Sequence, residues 1–325
     1  MIYKKVKMIQ ESISAIGIGC WNFGGDWDNT DDNKSISIVH TAIDKGVNLF
    51  DVAPVYGWNH AERVLGRALV GKRDKVLIAS KCGLIWNEKR ETRNDLSKTS
   101  ILKEIDESLQ RLQTDYIDIY QLHWPDHNTP IEETVEALRE IKKAGKIRYI
   151  GLSNYAKSDV ETFMSMIEIN AQQALYNMLE RNTDSYHNID LEYKTEEELL
   201  PIVKKYGQAF LPYSPLFQGL LAGKFTKDKK FSEADIRNAN PKFSDGAFEE
   251  YFKCYEKLNE FAKEIGRPIN EIAINWLRQK PEVTSIIGGA SSISQLDKNV
   301  KALEWDISDD EMAHIEEIIV PFKNK

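Results

Sequence analysis

The chain has little of what staples a small secreted domain or holds a structural metal. Its cysteines are three, Cys20, Cys82 and Cys254, far apart and in no paired motif. That pattern excludes a disulfide framework or a zinc site and fits buried or neutral thiols in a reducing compartment. No His, Asp and Glu cluster has the spacing of a metal site. No apolar run reaches the ~18 residues of a membrane span. The start, Met1-Ile2-Tyr3-Lys4-Lys5, lacks the apolar stretch of a signal peptide, so the expected location is cytoplasmic. Positive charge is in deficit: 43 Lys and Arg against 51 Asp and Glu give a net charge of -8. This disfavours sequence-independent binding to nucleic acid and leaves local basic spots free for a phosphorylated ligand. Low-complexity tracts and domain boundaries are also absent, and residues 1–325 read as a single domain.

What is there is a soluble globular composition, 42% hydrophobic and 29% charged, with material for a large core. Short apolar runs alternate with longer segments of helical period. The runs are Ala15–Cys20, Val47–Asp51, Val76–Ser80, Ile117–Leu122, Ile147–Leu152, Ala171–Leu175, Ala209–Pro212 and Val283–Ile287. Being almost continuously Ile, Val and Leu, they suit strands buried on both faces of a parallel sheet. Helices are expected over Asn33–Lys45, His60–Leu69, Ser97–Leu112, Ile131–Ala144, Ser158–Met166 and Thr195–Tyr206. Two of them exit through Lys45-Gly46 and Lys143-Ala144-Gly145, a cation followed by the glycine of a C-terminal cap. Eight strands with intervening helices predict an α/β fold, a closed (β/α)8 TIM barrel. An open dinucleotide-binding sheet would need a third glycine after Gly17-Ile18-Gly19, and Asn22 stands there. The first 15 residues predict a β-hairpin closing the barrel bottom. Ser214–Glu249 reads as a long functional cover, and Ile293–Leu303 and Ser308–Ile319 as C-terminal helices.

Active sites of such barrels lie at the carboxyl ends of the strands. Strand two ends in Asp51, with Tyr56 in the next loop; strand three reaches Lys81 and strand four His123. Strand five ends in Ser153-Asn154, strand six carries Gln173, strand seven ends in Tyr213, and strand eight in Gly288-Gly289-Ala290-Ser291. Polar residues collecting on one rim are hard to explain as core packing. A tyrosine with an ordinary pKa of ~10 is a proton donor at neutral pH, but its conjugate base needs a cation. Lys81 supplies one and is expected to lower the phenol pKa; Asp51 holds the lysine in place. His123 orients a carbonyl. This set protonates a carbonyl oxygen; a hydride must come from a cofactor.

These residues resemble the aldo-keto reductase superfamily. The likeness is carried by Gly17-Ile18-Gly19-Cys20-Trp21, Leu49-Phe50-Asp51-Val52-Ala53-Pro54-Val55-Tyr56-Gly57, Ser80-Lys81, Leu122-His123-Trp124-Pro125-Asp126 and Ile150-Gly151-Leu152-Ser153-Asn154. It continues through Gln173-Ala174-Leu175-Tyr176-Asn177, Tyr213-Ser214-Pro215-Leu216, Gly219-Leu220-Leu221-Ala222-Gly223-Lys224 and Gly289-Ala290-Ser291-Ser292. These stretches, standing in family order, make the match specific. Within the superfamily the chain looks most like bacterial general-stress and inositol-locus reductases and potassium-channel beta subunits.

The resemblance implies reduction of an aldehyde or ketone by NADPH, with NADH as the alternative, and the tetrad Asp51, Tyr56, Lys81 and His123. It implies that Ser153, Asn154 and Gln173 hold the nicotinamide carboxamide while Tyr213 stacks on the ring. Gly19, Trp21, Asp51 and Ser214 are further expected cofactor contacts. Leu216, Gln218, Gly219, Leu220 and Lys224 would line the pyrophosphate. The 2′-phosphate would sit by Ser291, Ser292 and Gln295, at a helix start where free N–H groups favour anions, with Arg237 or Lys224 as the cation; Gly289 and Asn299 are further expected cofactor contacts. Trp21, Tyr56, Trp86, His123 and Trp124 are the candidate substrate pocket, with Trp58 beside them. Small-molecule carbonyl compounds are the expected partners, an oligomer is allowed, and neither membrane nor nucleic acid is implicated.

Other features have plainer readings. Gly17 and Gly19 relieve crowding between strands. His60 and His127 belong to caps or solvated loops, Glu196-Glu197-Glu198 to the first turn of a helix, and Lys227–Lys230 to a solvated loop. Two further function classes compete: a regulatory protein keeping the cofactor as a redox sensor, and a metal- or phosphosugar-dependent lyase or isomerase. The channel subunits use extended N-terminal segments, and the stretch before the hairpin is too short for one.

Overall fold

The structure is a computed structural model, and it describes residues 1–25, 31–223, 225–227, 231, 235–244 and 246–323. Eight parallel strands form the barrel: Ile16–Gly19, Leu49–Asp51, Leu77–Cys82, Ile117–Leu122, Ile147–Ser153, Ala171–Gln173, Ala209–Phe210 and Ile286–Gly289. They are called strands one to eight below. Strand eight pairs in parallel with strand one, Ile286 against Ile16 and Gly289 against Gly19. Strands seven and eight close the ring through Thr284 N to Phe210 O (2.9 Å) and Ile287 N to Pro212 O (2.9 Å).

An antiparallel hairpin, Tyr3–Val6 with Ile9–Ser14, plugs the bottom. Its Ile9 and Ile13 join Leu49, Leu77, Ala79, Ile119, Ala171, Leu211 and Ile287 in an interior cluster. Because strand side chains alternate with a period of two, the residues two places further on face the same interior. There the rows turn from apolar to polar: Leu49 gives way to Asp51, Ala79 to Lys81, Ile119 to Gln121, Ala171 to Gln173 and Leu211 to Tyr213. The apolar layers make a floor; the polar layer above it is where chemistry is possible. Gly151 is needed in that layer, since a Cβ there would lie 2.8 Å from the Gln121 side chain.

The helices outside the barrel follow the expected order. They are α1 (Asp32–Asp44), α2 (His60–Ala68), α3 (Lys98–Leu112), α4 (Ile131–Lys143), α5 (Lys157–Met166) and α6 (Leu200–Tyr206). Then come α7 (Ala247–Glu264), α8 (Ile269–Arg278), α9 (Ile293–Lys301) and α10 (Asp309–Ile319). Gly46 and Gly145 take left-handed φ at the exits of α1 and α4, as their cap role requires. The expected cover over Ser214–Glu249 ends earlier than read: from Ala247 the chain is α7, a helix not expected there. Its buried stripe is largely aromatic (Tyr251, Phe252, Tyr255, Phe261), which obscures an aliphatic period. The cover itself packs on aromatic rings of its own, with Phe243 against Phe217, Phe225, Phe231 and Phe248. Glu196–Glu198 lie in a π-helical turn ahead of α6, where Glu196 pairs with Arg181.

Strand three is pinned from outside. Ser80 Oγ donates to buried Glu62 of α2 (2.8 Å), which also accepts from Arg111 of α3 (2.6 Å). At the strand's end, Gly83 N–H donates to both carboxyl oxygens of Glu104 (3.1 and 3.2 Å). Burial outweighs these bonds and pushes the Glu104 carboxyl up to about 7. The folded protein therefore keeps a proton there that the unfolded chain releases, so Glu104 costs stability as pH rises from 4.5 to about 7. The penalty is fully present above that window and amounts to about 3 kcal/mol. Glu104→Gln keeps an acceptor for Gly83 and removes the penalty. It is expected to unfold at higher urea than the parent at pH ~8 and at similar urea at pH ~4. A variant no more stable at the higher pH would refute this account of Glu104.

Candidate active site

The polar layer converges on one ammonium group. Lys81 Nζ is fully buried and donates to Asp51 Oδ1 (2.9 Å) and Oδ2 (2.8 Å), to Val52 O (3.1 Å) and to Tyr56 Oη (3.1 Å). An ammonium has only donors, so Tyr56 Oη accepts from it and the phenol keeps its own O–H to donate elsewhere. Asp51 is further held by Gln173 Nε2 (2.8 Å) and Gln121 Nε2 (3.4 Å). The Tyr56 ring lies in an aromatic angle, with Trp21 stacked at 5.9 Å and His123 edge-on at 6.0 Å. Strand ends two, three and four thus bring all four members of the expected tetrad together.

One expectation is corrected. The phenol of Tyr56 is pushed well above its ordinary value rather than lowered. Burial is the main cause, and the Asp51 carboxylate beside it adds to the effect. Tyr56 is consequently a firmly protonated donor, and Lys81, 3.1 Å away, offsets part of the cost of the phenolate that donation leaves. Burial, and then the charge of Lys81, hold His123 well below its usual value. A neutral imidazole there donates one hydrogen bond and is no acid.

The other rim residues form a second group. Asn154, in a left-handed conformation, accepts on Oδ1 from Tyr193 (2.9 Å) and Tyr213 (2.8 Å) and donates to His123 O and Ser153 Oγ. Tyr213 also meets Tyr186 edge-on at 5.2 Å. Beyond strand seven, Ser214, Phe217, Gln218 and Gly219 all have positive φ. The turns are closed by Phe217 N–H donating to Ser214 O (3.0 Å) and Gly219 N–H donating to Leu216 O (2.9 Å). At the start of α9, Ser292 Oγ accepts from Gln295 N, and Gln295 Oε1 accepts from Ser291 N and Oγ. Asn299 donates to Gly289 O. Arg237 is held by Asp235 and reaches Gln218 O (3.2 Å), which sets it at the turned segment. Leu216 and Leu220 flank that segment, while Lys224 lies outside the described residues.

Among the candidate pocket residues, Trp21 reaches Tyr56, and Trp86 packs edge-on against Trp58 at 5.4 Å. Trp124 is half-buried against the core. His60 is bound to Asp32 and His127 lies 3.6 Å from Glu192, in keeping with their plainer reading. Sequence reasoning missed Gln121 and Tyr193. Gln121 carried a signal, a polar residue at an interior position between Ile119 and His123; Tyr193 sits in a loop without one. Among the described residues no group of three or more His, Cys, Asp or Glu is placed to hold a metal ion. None of their helices is long and apolar enough to cross a membrane.

A closed parallel barrel with a Lys-Asp-Tyr-His cluster at its carboxyl rim defines an oxidoreductase of the nicotinamide-dependent, carbonyl-reducing kind. The chain belongs to the aldo/keto reductase family, whose model matches residues 15–320. It is 36% identical over 310 residues to the protein named aldo-keto reductase YhdN of Bacillus subtilis (strain 168), covering 94% of this chain and 90% of that one. It is 34% identical over 317 residues to the NADH-specific methylglyoxal reductase of Escherichia coli (strain K12), covering 92% of each. Among solved structures, the glycerol dehydrogenase AKR11B4 from Gluconobacter oxydans superposes with a TM-score of 0.88 at 31% identity, over 99% of this chain and 96% of that one.

Proposed function

We propose that residues 1–325 act as one barrel domain that reduces a small aldehyde or ketone with NADPH in the cytoplasm. The observation that carries this reading is Lys81 Nζ lying 2.8 Å from Asp51 and 3.1 Å from Tyr56 Oη, on a rim where the phenol proton is free to be given away. When bound, the nicotinamide supplies the hydride. The chain's own residues do the rest. Tyr56 gives its proton to the carbonyl oxygen, and Lys81, fixed by Asp51, stabilises the phenolate left behind. His123, neutral, donates to the same oxygen and fixes its direction.

The donor set fits the cofactor. Ser153, Asn154 and Gln173 present amide and hydroxyl groups to a carboxamide, and Tyr213 offers a ring to stack against. The turned peptides at Leu216, Gln218, Gly219 and Leu220 suit a pyrophosphate. Ser291, Ser292 and Gln295, at the start of α9, suit a 2′-phosphate. Free, unpaired cysteines agree with a reducing compartment.

Two results test this. Titrated against tryptophan fluorescence, NADPH is expected to bind more tightly than NADH, and equal affinities remove the 2′-phosphate contact. In a panel of small aldehydes and ketones the NADPH absorbance is expected to fall with at least one substrate; a cofactor that binds but is never oxidised favours the redox-sensor class instead.

A further inference from the structure

A cavity of about 450 Å³ opens among the loops that follow strands one, two and three and at the start of α2. Most of the proposed cofactor contacts come instead from strands five to eight. Gly24, Gly57, Trp58, His60, Arg63 and Arg90 are among the cavity's walls. Gly57 directly follows Tyr56, so one wall of the cavity is the residue after the proposed proton donor. Here the backbones of Gly24 and Gly57 touch: a Cβ on Gly57 would lie 2.2 Å from the Gly24 carbonyl oxygen. No side chain can fill that floor.

Among the described residues the walls of the cavity carry arginine and no carboxylate. Arg63 and Arg90 have no carboxylate partner among the described residues, whereas nearby His60 and Arg67 share Asp32. The Arg90 guanidinium sits 5.4 Å from the Trp58 ring, which orders it by a cation–π contact without neutralising it. The turn between them is strained: Gly57, Trp58 and Asn59 have φ of +58°, +56° and +78° in succession. Two non-glycine residues held in the left-handed region cost energy that the fold keeps where a site must be shaped.

We propose that this cavity is a subsite for a small anionic group, a phosphate monoester or a carboxylate, carried by the carbonyl substrate. Arg63 and Arg90 bind its oxygens, and Trp58, packed on Trp86, flanks the rest of the molecule. The inference rests on the reductase reading above and narrows its substrate to anionic carbonyl compounds.

The test uses the full chain with NADPH and two matched pairs of aldehydes. Glyceraldehyde is compared with glyceraldehyde 3-phosphate, and butanal with succinic semialdehyde. The anionic member of at least one pair is expected to have a kcat/KM about tenfold or more above its neutral partner, and the favoured pair identifies the anion as phosphate or carboxylate. That advantage is expected to disappear in the Arg63→Met/Arg90→Met double variant, chiefly through KM. Turnover of the neutral aldehydes with no anionic preference overturns the subsite and leaves the reductase standing. A preference that survives the double variant also overturns it. Failure of all four aldehydes defeats the reductase reading itself and the subsite with it.

Discussion

Tyr56→Phe is expected to lose about 10²–10⁴ of its turnover while binding NADPH as the parent does, because it deletes a proton and little else. The phenyl ring keeps its stack on Trp21 and its edge contact with His123. Lys81 keeps Asp51 and Val52 O as acceptors. Single-turnover reduction of a bound aldehyde, followed at the NADPH absorbance, reads the loss directly. The pH dependence carries a second, independent sign. Burial raises the phenol of Tyr56 above 10.0 and lowers His123 below 6.5, so neither group changes charge between those values. The parent's kcat/KM is expected to be flat across that range. Loss at high pH begins only above the ordinary tyrosine value, as the phenol ionises; loss at low pH begins only below the ordinary histidine value, as the imidazole charges. An alkaline limb centred two units lower, or a Tyr56→Phe variant with parental single-turnover rates, would remove the phenol from the reaction.

The position of these groups was largely legible in the sequence because the barrel imposes a simple rule. A parallel strand buried on both faces is written almost wholly in apolar residues, so a polar residue at its carboxyl end stands out. Asp51, Lys81, His123 and Tyr213 were all visible in this way. Gln121 was less so, lying one residue inside its strand end and within an apolar-looking run. Tyr193 was not legible at all. It reaches Asn154 from a loop whose path depends on contacts far away in sequence, such as Thr195 Oγ1 to Leu175 O. The cavity beside Tyr56 escaped for the same reason: its walls come from three separate loops, and Arg63 and Arg90 are unremarkable until folding sets them together. The protonation of Tyr56 was misjudged because the sequence names the charges near a phenol but not their separations. A lysine next to a tyrosine lowers its pKa; here desolvation and the Asp51 carboxylate outweigh that effect.

The buried pair of Lys81 and Asp51 yields the second large effect, in which stability and activity separate. Lys81→Met leaves the Asp51 carboxylate buried with only the Gln173 and Gln121 amides for partners. An uncompensated buried charge of this kind costs about 3–5 kcal/mol, readable as a fall in the urea midpoint. Asp51→Asn makes the converse error, leaving an ammonium with Val52 O, Tyr56 Oη and a neutral amide. Combining the two removes both charges, and the double variant is expected to be more stable than the sum of the single losses predicts, by about 1–3 kcal/mol. Its turnover is expected to stay as low as that of Lys81→Met, because the phenolate still has no cation. If the pair were only structural, recovery of stability would bring activity back with it; an Asp51→Asn/Lys81→Met protein that reduces aldehydes at the parental rate would show that the ammonium serves the fold and not the reaction.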